Sequence, residues 1–289
     1  MRKVLVFVLL VLFVSTFSFG VKIGLSVSTL NNPFFVDLAN GAEDKANELG
    51  VELLVVDARD DPAKQLNDIE DLILQRVDMI LVNPTDSDAI VSAIEEANDA
   101  KIPVITVDRS ANGGKVLLHI ASDNVAGGMM AGSFIAEQLG GEGKVIELVG
   151  VPGTSSARER GQGFNEEISK YPGIEVVARQ TANYNRAEGL TVMENLLQAY
   201  PDVDAVFAHN DEMALGALEA IKAAGKLQDI IVVGFDATPD ALASVESGEL
   251  SATIAQQPYT MGELAVEKAY EYLTTETIYF PVPLQLVTK

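Results

Sequence analysis

Hydrogen-bonding side chains gather in this chain at one kind of place, directly after short apolar runs or at the start of helical stretches. In chain order these places are Ser28 to Phe35, Asn83 to Asp86, Asp108-Arg109, Gly153 to Arg160, Tyr184 to Arg186, Asn210 to Glu212, Phe235-Asp236 and Gln256. Carboxylates, carboxamides and guanidinium groups dominate them. Such groups form paired hydrogen bonds, and adjacent hydroxyls on one small molecule present donors and acceptors at a matching spacing. The first segment adds two neighbouring rings, Phe34 and Phe35, beside Ser28, Asn31 and Asn32. Aromatic rings against a C–H face, rimmed by planar polar groups, suit a monosaccharide. A desolvated site of this kind discriminates strongly, because an analogue lacking one hydroxyl leaves a buried partner unpaired.

Each residue also has a local structural role open to it. Asn32 with Pro33 has the form of a helix start, with both Phe side chains entering the core. Asn83 and Asp86 are placed to cap a following helix, and Asp236 to cap one near Pro239. Asp108 and Arg109 have the makings of a solvated pair worth under about 1 kcal/mol. Phe235 suits a core position, and of Arg158 and Arg160, on one helical stretch, at least one is expected to face solvent. These roles do not explain why so many polar residues fall on the same edge. Two sheet edges facing each other across a cleft do explain it, since ligands of open α/β sheets bind at the carboxyl ends of the strands.

The elements that must position these residues alternate along the chain. Predicted strands are Lys22–Val27, Glu52–Val56, Met79–Val82, Val104–Val107, Leu117–Ala121, Lys144–Val149, Glu175–Ala178, Ala205–Ala208, Ile230–Phe235 and Ser251–Ala255. Amphipathic stretches such as Phe34–Leu49, Pro62–Val77, Ser87–Ala100 and Ala187–Tyr200 lie between them. Val- and Ile-rich runs without alternation predict strands buried on both faces, hence parallel sheets covered by helices. The class is α/β, built from repeated βαβ units. Ten strands exceed one ordinary doubly wound sheet, so the chain divides into two halves of similar strand count meeting near residue 122.

The chain opens on Met1-Arg2-Lys3 and an apolar run from Val4 to Phe19, which reads as a cleaved signal peptide over residues 1–20 and predicts export. There is no cysteine, so neither disulfides nor a lipid-modified cysteine is available, and a soluble, non-anchored periplasmic protein is expected. The net charge of −22, from 20 basic and 42 acidic residues, disfavours nucleic acid and anionic membranes as partners. No dinucleotide, P-loop or serine-hydrolase motif occurs, and the two histidines, His119 and His209, form no zinc motif. No catalytic residue, metal or cofactor is therefore expected, although Asp108 and Asp236 have the residue types of a glycosidase pair.

The segments STLNNPFF (28–35), NPTDSDA (83–89), IPVITVDR (102–109), HIASDN (119–124), GTSSARERGQGF (153–164), NDEMALGAL (210–218), VVGFDATPD (232–240) and ATIAQ (252–256) closely resemble the periplasmic sugar-binding proteins, nearest the D-ribose binders among them. The resemblance runs from about Val21 to Lys289. It implies the type I periplasmic binding protein fold, two Rossmann-like lobes joined by three crossover segments near Ser122, Gln256 and Pro283. The N-terminal lobe would be 21–122 with 257–283, and the C-terminal lobe 123–256 with 284–289. The implied function is capture of D-ribose by a closing monomer, with delivery to an ABC-type membrane permease and a chemoreceptor as a further docking partner. Another monosaccharide, such as allose or a different pentose, is the alternative; the effector domain of a sugar-responsive repressor is a distant one. Matched by position, Phe34, Tyr184 and Phe235 would surround the sugar ring with Phe35 nearby. Ser28, Asn32, Asn83, Asp108 and Arg109 would contact it from the first lobe, and Arg160, Asn210, Asp236 and Gln256 from the second lobe and hinge. One departure falls in the site: ribose binders commonly carry Phe-Asp where this chain has Tyr184-Asn185, and a buried Tyr184 hydroxyl needs a partner.

Overall fold

The computed structural model describes residues 20–275. The leader-like segment through Phe19 and the passage expected near Pro283 lie outside the described residues.

Two parallel five-stranded sheets form the core. The first contains β1 (Lys22–Val27), β2 (Glu52–Asp57), β3 (Met79–Val82), β4 (Val104–Val107) and β5 (Leu118–Ile120), in the order β2-β1-β3-β4-β5. The second contains β6 (Glu142–Val149), β7 (Gly173–Thr181), β8 (Ala205–Ala208), β9 (Ile231–Asp236) and β10 (Ala252–Ala255), in the order β10-β9-β8-β6-β7. Counted within its own half, each sheet runs 2-1-3-4-5, so the two halves share one doubly wound topology with a switch point beside the first strand. Every residue of β3, β4 and β8 is buried, which is why those runs lack alternation.

Helices α1 (Pro33–Leu49), α2 (Pro62–Leu74) and α3 (Val91–Asp99) follow the first three strands, one after each. The second sheet carries α4 (Asn124–Gln138), α5 (Ser155–Ile168), α6 (Arg186–Ala199), α7 (Asp211–Ala223) and α8 (Pro239–Glu246). The chain leaves the first sheet between Ile120 and Asn124 and the second between Ala255 and Pro258. It then enters α9 (Pro258–Thr274), whose Met261, Ala265, Val266 and Ala269 pack into the first half's core with Leu38 and Ala42 of α1.

Three helix pairs cross on reciprocal glycines. A Cβ built on Gly41 of α1 would overlap the Tyr259 carbonyl, and one on Gly262 of α9 the Leu38 carbonyl. Gly163 of α5 stands against the Val125 carbonyl and Gly128 of α4 against the Arg160 carbonyl; Gly216 of α7 does the same with Arg186 of α6. Backbone therefore meets backbone at each crossing, and the start of α4 is held against the middle of α5.

All ten predicted strands form, with shifted ends. β7 spans nine residues rather than four, and its register against β6 shifts between Val145 and Ile146. The helix expected from Ser87 starts at Val91, because the Asp86 carboxylate accepts from the amides of Asp88 and Ala89 and organises a turn first. The helix expected to reach Val77 ends at Leu74, where Arg76 takes a left-handed φ of 57°.

Candidate functional site

Strand register levels the polar exits. Ser26 of β1 lies opposite both Val56 and Val82, so Ser28 and Asn83 emerge side by side. On the other sheet Leu148 lies opposite Ala208, and Ala255 opposite Asp236. The carboxyl edges of the two sheets close on a small cavity lined by Asn32, Phe34, Phe35, Asp108, Arg109, Ser156, Arg160, Tyr184, Asn210, Asp236 and Gln256. A wider outer chamber opens from it, sharing Asn32, Phe35, Arg109 and Tyr184 and bounded by Asn31, Asp60, Arg186 and Glu212. The lips also touch directly: the amide of Ser87 donates to the Gly153 carbonyl at 3.1 Å, and that of Ser110 to Ser155 Oγ at 2.9 Å.

Phe34 and Phe35 form one wall, edge to face with centroids 5.1 Å apart. Their backbone is aimed by Asn32, whose carboxamide oxygen caps α1 by accepting from the Phe34 amide at 3.0 Å. The cap and a ligand role coexist: the oxygen is engaged, and the amide NH2 group remains to face the cavity. Asn210 is built the same way, capping α7 through the Met213 amide. Asn185, the second departure from the ribose-binder pattern, is the cap of α6. Tyr184 supplies the facing ring, with the Arg109 guanidinium 5.1 Å from the Phe35 centroid and 5.3 Å from that of Tyr184.

The ionic residues come as buried pairs, one from each half. Asp108 lies 3.8 Å from Arg109 Nε, and its Oδ2 accepts from Asn83 Nδ2 at 3.2 Å. Asp236 lies 3.6 Å from Arg160 Nη1 and accepts from Gln256 Nε2 at 2.7 Å. Arg160 donates Nε to Asn124 and Nη1 to the His209 carbonyl, so α4 and β8 both aim it. With each member of both pairs 6% exposed or less, the solvated-pair reading of Asp108-Arg109 does not hold, nor does the capping reading of Asp236. Arg158 is the solvent-facing member of its helix and Arg160 the buried one. Burial pushes the Asp108 carboxyl up, opposed by Arg109 and Arg160. Burial pushes Asp236 well up too, against Arg160 and with help from Asp211.

Three buried atoms around this cavity have no hydrogen-bond partner among the described residues: Asp108 Oδ1, Arg109 Nε and Gln256 Oε1. Unpaired buried polar atoms are costly, and two acceptors with one donor facing a small cavity suit a neutral polyol. Asp108, Tyr184 and Asp236 also hold positive φ values of 62°, 58° and 124°. Such strain, of order 1–3 kcal/mol per residue, persists where surrounding packing fixes the geometry a site needs.

Three residues expected at the ligand stand one layer behind it. Phe235 is absent from the lining; the Arg160 guanidinium covers its ring at 3.9 Å from the centroid, so the core reading applies and Arg160 takes the wall. Ser28 and Asn83 are also off the cavity: Asn83 accepts from the Ser28 amide and donates to the Val107 carbonyl and to Asp108, tying three strand exits together. Asn83 thus positions Asp108 and caps no helix. Two residues escaped the sequence reading. Ser156 lines the cavity, and its only signal was membership of the Gly153 to Arg160 exit. Gln65, fully buried on α2, donates to Ser26 Oγ and the Asn83 carbonyl and accepts from both donors of Thr85; nothing in its helical context marked it.

Asp211 sits beneath Asp236, accepting from Thr238 N, Thr238 Oγ1 and Thr253 Oγ1. Burial, against those hydrogen bonds, pushes its carboxyl up to about 6 from 3.8. The folded state therefore binds this proton more tightly than the unfolded chain. The associated stability is present below about pH 4 and is lost as pH rises through about 6. The stability of the protein relative to its Asp211→Asn variant should accordingly fall by on the order of 2 kcal/mol between pH 4 and 7, read by urea denaturation; a pH-independent difference contradicts it.

A profile of the periplasmic binding protein domain matches residues 23–277. The chain belongs to the periplasmic binding protein family. Ribose import binding protein RbsB of Bacillus subtilis (strain 168) is 55% identical over 269 residues, 92% of this chain and 87% of that protein. Among solved structures, an ABC transporter solute binding protein from Bacillus halodurans C-125 with bound myo-inositol is similar with a TM-score of 0.85 and 35% identity, over 89% of this chain and 90% of the other. A periplasmic solute binding protein from Actinobacillus succinogenes 130z with bound D-allose gives 0.82 and 32%, over 91% and 96%. As a periplasmic binding protein the chain is a transport component and not an enzyme, so Asp108 and Asp236 are not a glycosidase pair.

Proposed function

We propose that this protein captures D-ribose in the cavity between its two sheets and delivers it to an ABC-type permease from the periplasm, acting as a monomer. The observation that carries the reading is the set of unpaired atoms Asp108 Oδ1, Arg109 Nε and Gln256 Oε1, which come from both halves and face one small cavity. Asp108 and Asp236 accept from sugar hydroxyls, Arg109 and Arg160 donate to sugar oxygens, and Phe34, Phe35 and Tyr184 cover the C–H faces. Charge balances within the protein, since each carboxylate has its own guanidinium, so a neutral ligand fits. Contact with both halves at once gives the sugar different affinities for open and closed states, the condition for a ligand to drive closure. The ribose import function of a 55% identical relative supports the choice of sugar.

The lobes proposed are 21–122 with 257–283 and 123–256 with 284–289, with export through the leader at 1–20. Docking to a chemoreceptor is part of the same reading. Calorimetry and melting curves with D-ribose, D-allose, D-xylose, L-arabinose and myo-inositol test the substrate. D-ribose is expected to bind tightest and to raise the melting temperature most. A larger shift with D-allose or another pentose replaces the sugar while leaving the class of ligand intact.

A further inference from the structure

We propose that Ser156 and Tyr184 form a specificity-determining hydroxyl pair that donates one hydrogen bond to an oxygen of the bound sugar. The inference rests on the reading of the cavity as a monosaccharide site. Ser156 stands in the first turn of α5 and is 2% exposed; Tyr184 is 8% exposed. Their hydroxyl oxygens lie 3.0 Å apart, and both residues line the cavity.

The phenol has no room to withdraw. A Cβ built on Gly150 would overlap Tyr184 Cζ, so the backbone leaving β6 closes the ring from behind. Arg109 lies over the ring, and the left-handed backbone at Tyr184 sets its direction of entry. On α5 the neighbouring Ser155 is engaged elsewhere, accepting from the Ser110 amide across the lips, and Ser156 alone of the two turns into the cavity.

Hydrogen counting gives the chemistry. Each hydroxyl carries one hydrogen and two lone pairs. One hydrogen serves the bond between them, and whichever group donates it, the other hydrogen is left over. Neither oxygen has another hydrogen-bond partner among the described residues. A buried O–H without an acceptor is unfavourable, so the leftover hydrogen favours a ligand oxygen beside the Tyr184 wall. The unpaired buried atoms beside it include the acceptors Asp108 Oδ1 and Gln256 Oε1 and the donor Arg109 Nε. The pair thus adds a neutral donor that a Phe or Ala wall lacks, and it rewards a sugar with an oxygen at that point over one without.

The test is a cycle of protein variants against ligand variants. Calorimetry is run on wild type, Ser156→Ala, Tyr184→Phe and the double variant with D-ribose, its 2-deoxy, 3-deoxy and 5-deoxy analogues, and the carbocyclic analogue lacking the ring oxygen. The Tyr184→Phe variant should lose roughly three- to tenfold in affinity for the parent sugar. For one analogue, the penalty seen in wild type should shrink by about fivefold or more in the double variant, while the other penalties persist. Ser156→Ala keeps the ring in place and supplies the cycle should Tyr184→Phe melt early. Penalties that are equal in wild type and variants at every oxygen overturn the pair as a ligand donor and leave it a structural contact. If wild type prefers another sugar, the ribose assignment falls and the cycle is run on that sugar's deoxy series. Failure to bind any sugar of the panel overturns both readings.

Discussion

Replacing Asp236 with alanine should weaken D-ribose binding by about a hundredfold or more, measured by calorimetry at neutral pH. The carboxylate is buried, lies 3.6 Å from Arg160 and holds Gln256 Nε2 at 2.7 Å. Truncating one member of a buried, hydrogen-bonded charge pair typically costs about 2–5 kcal/mol, and about 2.7 kcal/mol is a hundredfold in affinity. The loss has two sources. The sugar forfeits an acceptor, and the Arg160 guanidinium, left without its counter-charge, reorients from the wall it forms over Phe235. Asp236→Asn should fall between wild type and alanine, because it retains one acceptor oxygen but loses the charge and exchanges the second oxygen for an NH2 donor. An affinity for Asp236→Ala within threefold of wild type would remove Asp236 from the site.

Substituting Gly163 with leucine should strongly destabilise the second half. Its Cα faces the Val125 carbonyl, and Gly128 on the facing helix meets the Arg160 carbonyl, so no side chain fits without separating α4 from α5. Overpacking of this kind costs about 3 kcal/mol. In a chain of this size that lowers the melting temperature by about 6–12 °C, read by circular dichroism. Ribose affinity should fall with it, because the same crossing aligns Asn124 on α4 with Arg160 on α5, and that 2.8 Å hydrogen bond aims the guanidinium. A melting temperature within about 2 °C of wild type would show that the crossing tolerates separation.

The legibility of this protein differed by the range of the interaction involved. Periodicity and turn chemistry located every strand, since burial on both faces writes itself into a run such as Met79–Val82 without reference to the rest of the chain. Capping was legible at Asn32, which reaches the Phe34 amide two residues on, but not at Asn185 or Asn210, which also cap helices. Asn83 and Asp236 have the residue type of caps and are held by other elements instead. Ends were less legible, as at β7, where pairing along the length of β6 extends a strand beyond its apolar residues. At the site, residue type identified the ionic pairs but not the depth of each side chain. Phe235 and Arg160 compete for one wall, and their order depends on Gly127, against which the Phe235 ring packs. The Tyr184 hydroxyl finds Ser156 on a helix that follows another strand, a pairing invisible along the chain.

By itself, then, the sequence determined the α/β class, the two-half division and the polar strand exits with their residue types, because each depends on spacing within a few residues or on residue type. Only the tertiary structure decided which exits share one cavity, which of Ser28, Asn83 and Phe235 stand behind it, and which atoms are left unpaired there. Those outcomes depend on register between strands far apart in the chain and on helix crossings set by glycines such as Gly128 and Gly163. A hydrogen bond left unmade is a property of the packed arrangement, and no single segment carries it.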